Sequence, residues 1–200
     1  LAILLVSIIG CSPVQDEGLD LIQNESTNAL SGTEELILNE QDLMQLGMIG
    51  DNLAQLSQLG ISADNGSDCK TEKYQTDEFS PLAQYSICSY VIENLNDTEV
   101  IIELKKFADP NALNGSYQYE SLHYRSSEGL LSENDFGDQS RFYVNNENDY
   151  GGEFNDPNIY YYTLYTTKNE YLIHVTSKGT IKEAKDSIAK IGRQILSKFE

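Results

Sequence analysis

The last twenty residues limit the fold most. Ile181, Ala184, Ile188, Ile191 and Ile195 recur at steps of three and four, with Lys182, Lys185, Lys190 and Arg193 between them. This pattern is an amphipathic helix with one apolar stripe, and the stripe has to be buried against something flat. The chain ahead of it supplies the surface. Leu82–Glu93, Thr98–Phe107, Gln139–Asn145, Ile159–Thr166 and Tyr171–Thr176 alternate and are rich in Tyr, Ile and Val, which predicts strands. Asn94-Leu95-Asn96-Asp97 predicts a turn, and Thr167-Lys168-Asn169-Glu170 a hairpin. Asp109-Pro110 is a helix start, with Asp as cap and Pro at the first helical position. That helix carries Leu113, Tyr117 and Tyr124 and stops before Gly129. Thr180-Ile181-Lys182-Glu183 has the form of a capping box for the last helix. The expected order is β-β-α-β-β-β-α, an α+β domain with an antiparallel sheet of about five to six strands and helices packed on one face. Two short helices are expected ahead of the sheet, one over Leu43, Met44 and Leu46 to Gly47, one after Asp51 over Leu53, Leu56 and Leu59. A polar loop holding Cys69 follows from Asp64 to Phe79.

The opposite end of the chain speaks to location. Residues 1–10, LAILLVSIIG, are apolar or small without a break. Ten residues are too few to span about 30 Å of hydrocarbon as a helix. They suit the apolar centre of a signal peptide, whose basic front is expected ahead of Leu1. The run ends Ile8-Ile9-Gly10-Cys11 and resembles the lipobox of prokaryotic lipoproteins. That resemblance implies a diacylglycerol on the Cys11 thiol, cleavage before Cys11, and a chain exported and anchored to the outer face of the membrane. From Ser12 the sequence turns polar, so residues 11–33 are expected to be a lipidated, acidic and disordered tether, with a single domain over residues 34–200. About twenty flexible residues would set the domain roughly 25 Å from its anchor. Cys69 and Cys88 remain as an even pair, expected to form a disulfide in an exported protein, the alternative being two buried thiols.

The formal charge of −19 is unevenly spread. Eleven Asp and Glu and no Lys or Arg lie between Cys11 and Cys69, and all thirteen basic residues come from Lys70 onward. A phosphate backbone needs Lys and Arg to displace its counterions, so nucleic acid is excluded as a partner. An unknown envelope protein or a small ligand is the expected partner, with the membrane reached through the lipid.

No motif of catalysis stands out. His123 and His174 are the two histidines. There is no Gly-x-Ser-x-Gly elbow, His-Glu-x-x-His pair, phosphate loop or dinucleotide fingerprint. His174 lies in a predicted strand, pointing away from Ile173 and Val175. The expectation is therefore a non-catalytic domain. A carboxylate-dependent hydrolase of envelope polymers and a purely structural envelope component are the alternatives, and a concave apolar pocket would speak against the structural one. No cofactor is expected. The candidate calcium site is the acidic, Gly-rich loop 145–158, where Glu147, Asp149, Glu153 and Asp156 offer oxygen ligands. The spacing departs from the EF-hand pattern. Thirteen tyrosines, four of them at Tyr160, Tyr161, Tyr162 and Tyr165 in one strand, offer flat apolar bodies with polar tips, a combination suited to a ligand or partner surface. If helices cover one face only, one of the two tyrosine pairs, Tyr160 with Tyr162 or Tyr161 with Tyr165, should be exposed.

Over residues 80–199, the order of elements and the strand opening Gly137-Asp138-Gln139-Ser140 give a resemblance to extracytoplasmic domains of the PsbP/Mog1 type. It implies an α-β-α sandwich serving in assembly or ligand holding.

Overall fold

The structure, a computed structural model, describes residues 30–48, 68–77, 79–92, 95–123, 129–144 and 158–200. Seven strands form one open antiparallel sheet: β1 (Asp68–Lys73), β2 (Leu82–Ile92), β3 (Thr98–Phe107), β4 (Leu130–Glu133), β5 (Gln139–Val144), β6 (Tyr160–Lys168) and β7 (Tyr171–Gly179). Their order across the sheet is β1-β2-β3-β7-β6-β5-β4. Among the described residues three α-helices accompany them: α1 (Glu40–Gln45), α2 (Pro110–His123) and α3 (Ala184–Leu196). The topology is two meanders, β1 to β3 and β4 to β7, joined through α2 and zipped together where β3 pairs with β7 from Glu99↔Lys178 to Lys106↔Tyr171.

The sheet has two strands more than the five read from the pattern, and both lie at its edges. β1 is Asp-Cys-Lys-Thr-Glu-Lys, expected as loop. An edge strand with polar residues on both faces carries no apolar alternation, so periodicity cannot find it. β4 has four residues, too few to show a period. The described packing begins at Leu30, slightly ahead of the expected Glu34. The second short helix, after Asp51, falls outside the described residues.

Period-two alternation divides the side chains between two faces. On the first, Val100, Ile102 and Leu104 of β3 meet Ile173 and Val175 of β7, Tyr162 and Leu164 of β6, and Ile188, Ile191 and Ile195 of α3. At Gly192 a Cβ would stand 2.4 Å from Leu164 Cδ2, so α3 packs closely on β6 and a larger residue there would push the Leu164 side chain aside. The segment over residues 30–48 closes the same face with Leu36, Leu38, Leu43 and Met48. It is held to α3 by Gln194 Nε2 donating to Asp42 Oδ1 at 2.9 Å and to the turn after α3 by Lys198 Nζ to Asp42 at 2.7 Å. On the second face Leu113 and Tyr117 of α2 pack on Phe107, Tyr143, Tyr165 and Leu172. Helices therefore cover both faces. The one-face expectation is corrected because Leu172, Tyr143 and Tyr165 give the second face an apolar patch that α2 buries.

Local signals fared unevenly. Asp109 accepts from the Ala112 amide at 3.1 Å, so the predicted start of α2 is present. Asn39 and Asp42 form a reciprocal capping box on α1, and Gly47 ends it at φ +68. The box predicted at Thr180 and Glu183 does not form. α3 starts at Ala184 without a side-chain cap, and Thr180 Oγ1 accepts instead from Asn96 Nδ2 at 2.9 Å.

Cys69 and Cys88 sit directly opposite in the β1–β2 register and are joined as a disulfide. Such bonds persist in oxidising compartments, as befits an exported protein. The bond ties the polar edge strand β1 to the apolar strand beside it. Ile188 is fully buried, so Ile188→Ala should cost about 2–5 kcal/mol. The check is urea unfolding: a lower midpoint at unchanged m-value is expected, and an unchanged midpoint would place α3 elsewhere.

Candidate functional site

Two places on the described surface bring polar groups and apolar surface together. The first is a cleft of about 530 Å3 between the turn ahead of β5, the β6–β7 hairpin and the end of α3. Phe136, Leu196 and Phe199 give it apolar walls, Lys168 and Arg193 two cations, and Asp135 and Glu200 two carboxylates. Its walls are fixed by packing. Phe136 meets Phe142 edge-on at 6.1 Å, the Arg193 guanidinium lies 4.9 Å from the Phe136 ring centre, and Phe199 meets Tyr171 edge-on at 5.4 Å. Gly137-Asp138 sets the rim. Gly137 has φ +55, and a Cβ there would strike the Thr167 carbonyl oxygen at 2.2 Å. The next residue clamps the hairpin: Asp138 accepts from the Asn169 amide at 2.8 Å and from Lys168 Nζ at 3.0 Å. The dipeptide that carried the family resemblance thus has a local structural task.

The second place is on the α2 face of the sheet. β3 and β7 set Glu103 opposite His174. Glu103 Oε2 lies 2.6 Å from His174 Nδ1, and His174 Nε2 lies 2.8 Å from Thr176 Oγ1. On the other side Tyr85 donates its hydroxyl to Glu103 Oε1 at 2.6 Å. The imidazole stacks on the Tyr165 ring at 4.2 Å and 10°. The His174 and Glu103 side chains keep 14% and 24% of their exposure, enough shielding for strong electrostatics without closing them off. The Glu103 carboxyl is held down to about 2, first by the hydrogen bond to His174 and against the opposing effect of burial. Burial, then the bond to Glu103, pushes the Tyr85 hydroxyl up. A carboxylate only accepts, so Nδ1 carries the proton, and a neutral imidazole then presents Nε2 to the threonine hydroxyl as an acceptor.

The residues singled out in the sequence are distributed otherwise. Tyr162 is buried and donates to the Lys182 carbonyl at 2.8 Å, and Tyr160, half-buried, stacks on it. Tyr165 is buried under α2 and Tyr161 is half-buried on the same face. Neither tyrosine pair is left as a bare exposed face, because helices cover both sides. Cys11 and Glu147, Asp149, Glu153 and Asp156 lie outside the described residues. Among the described residues no group of three or more His, Cys, Asp or Glu is placed to hold a metal, and no helix is long and apolar enough to cross a membrane. Glu103 was not anticipated as a site residue. Its signal was an acid between Ile102 and Leu104, the same pattern that puts His174 between Ile173 and Val175.

No protein-family model matches the chain, and no curated protein matches it in sequence. Among solved structures, the extracellular domain of PknH from Mycobacterium tuberculosis is similar at a TM-score of 0.39 and 11% identity, over 80% of this chain and 97% of that one.

The Glu103 pairing carries a pH dependence. The folded-state value lies below the ordinary 4.5. Stability from this group is therefore present above about 4.5 and is lost as pH falls from there toward 2. Urea midpoints at pH 6, 4 and 3 should fall more steeply for the native chain than for Glu103→Gln. Parallel slopes would show that the carboxylate is not held by His174.

Proposed function

We propose that the chain is an exported, lipid-anchored binding domain that holds a small ligand at the cell envelope in the cleft between the β6–β7 hairpin and α3. The observation that carries this reading is the cleft itself, a concavity of about 530 Å3 with both apolar walls and charged groups. Ligand sites have this size and mixture, whereas a purely structural envelope component has no need of one. The ligand class is an amphiphile: an apolar body against Phe136, Leu196 and Phe199, and an anionic end within reach of Lys168 and Arg193. Anchoring rests on Ile8-Ile9-Gly10-Cys11 and on the acidic stretch behind it. The disulfide supports export, and the resemblance of residues 80–199 to PsbP/Mog1-type domains is the ground for ligand holding in an extracytoplasmic setting.

The fluorescent probe 8-anilinonaphthalene-1-sulfonate has such an apolar body and anionic end. Titrated into the native chain, it should give saturable blue-shifted emission. Arg193→Glu should weaken that binding roughly tenfold, the loss of about 1.4 kcal/mol. Phe199 is half-buried at the rim, and Phe199→Ser should weaken it as well. Equal binding by the native chain and both variants, each with native melting behaviour, would remove the cleft as the binding site.

A further inference from the structure

Thr176, His174 and Glu103 have the geometry of a nucleophile, its base and the group that orients the base. We propose that they open small carboxylic esters, with Thr176 Oγ1 as the attacking atom. The signature of an activated hydroxyl is a base within hydrogen-bond reach that is itself held by a third group. Both distances are in that range, 2.8 Å from Thr176 Oγ1 to His174 Nε2 and 2.6 Å from His174 Nδ1 to Glu103 Oε2. The ring cannot turn freely, because it is stacked on Tyr165. Nor can the carboxylate, because Tyr85 holds its other oxygen. His174 and Thr176 are two apart on one strand, so they share a face, and the sheet rather than a loop fixes their spacing. The same face offers a place for an acyl chain. Ile101 stands directly opposite Thr176 and Ile87 directly opposite Glu103, both half-buried.

The step balances within these groups. Thr176 Oγ1 gives its proton to His174 Nε2 and forms a bond to the acyl carbon. The carbon–oxygen bond to the alcohol breaks, and the alcohol leaves with the proton from Nε2. Water, deprotonated by the same nitrogen, then releases the acid and restores the threonine. Thr176 and His174 are the catalytic residues; Glu103 and Tyr85 are positioning residues. The site is on the sheet face opposite α3 and does not depend on the cleft.

The test uses the full chain with p-nitrophenyl butyrate. Release of p-nitrophenolate is expected, with a butyryl mass increment on the peptide holding Thr176 after acid quench. Thr176→Val should abolish both and Thr176→Ser should keep both. His174→Gln should slow acylation at least about a hundredfold, the usual contribution of a general base. Glu103→Gln should slow it and Glu103→Asp should recover part of the rate. A merely structural role would move the melting temperatures of these two variants without separating their rates. A native chain that melts normally yet gives no increment on Thr176 and no release above that of Thr176→Val overturns the proposal. Cleft binding of the sulfonate probe is unaffected by that outcome, so the two readings fail separately.

Discussion

The pairing of β3 with β7 is the contact on which the rest depends. Two meanders separated by a helix become one sheet only because Glu99 to Lys106 runs antiparallel to Lys178 to Tyr171. Antiparallel register gives each face its own set of side chains, and a slip of one residue would exchange the sets. In the native register Ile102, Leu104, Ile173 and Val175 fall together under α3. The same register puts Glu103 beside His174 on the other face. Core and polar relay are two results of one alignment, so a slip of register would destroy both.

The two layers on the sheet use the alternation differently. α3 and the segment over residues 30–48 cover the more apolar face, and Asp42 is bound between Lys198 and Gln194 where they meet. α2 covers only part of the mixed face, through Leu113 and Tyr117. Its remaining polar contacts are ion pairs and hydrogen bonds, among them Lys105 to Glu120 at 2.7 Å and Arg141 to Ser121 at 2.6 Å. Polar groups that are half-shielded and fully partnered are costly to build and easy to perturb. That is the physical setting in which chemistry is possible.

Much of the fold was legible in the sequence because burial writes a period. The Ile stripe of α3, the alternation of β2 and β3 and the Asp109 cap all describe local geometry that the structure retains. What escaped notice has no local period. β1 shows itself only through Cys69, whose partner is 19 residues away. The capping box at Thr180 was plausible chemistry, defeated by a distant competitor, Asn96. The relay was hidden for a related reason: Glu103 and His174 are 71 residues apart, and only the strand order makes them neighbours. Each left one trace, a polar residue inside an apolar strand, but a trace of that kind does not name its partner. The tyrosines show the converse. Their clustering suggested a binding surface, yet Tyr162 and Tyr165 lie in the interior, one with its hydroxyl bonded to a backbone carbonyl and the other stacked on an imidazole.

Nitrogen NMR of the His174 ring tests this alignment most directly, since the ring is on β7 and its acceptor on β3. The structure requires a protonated Nδ1 with a slowly exchanging proton held by Glu103, and loss of the slow proton in Glu103→Gln. A ring that exchanges freely, or carries its proton on Nε2, would contradict the register and the relay built on it.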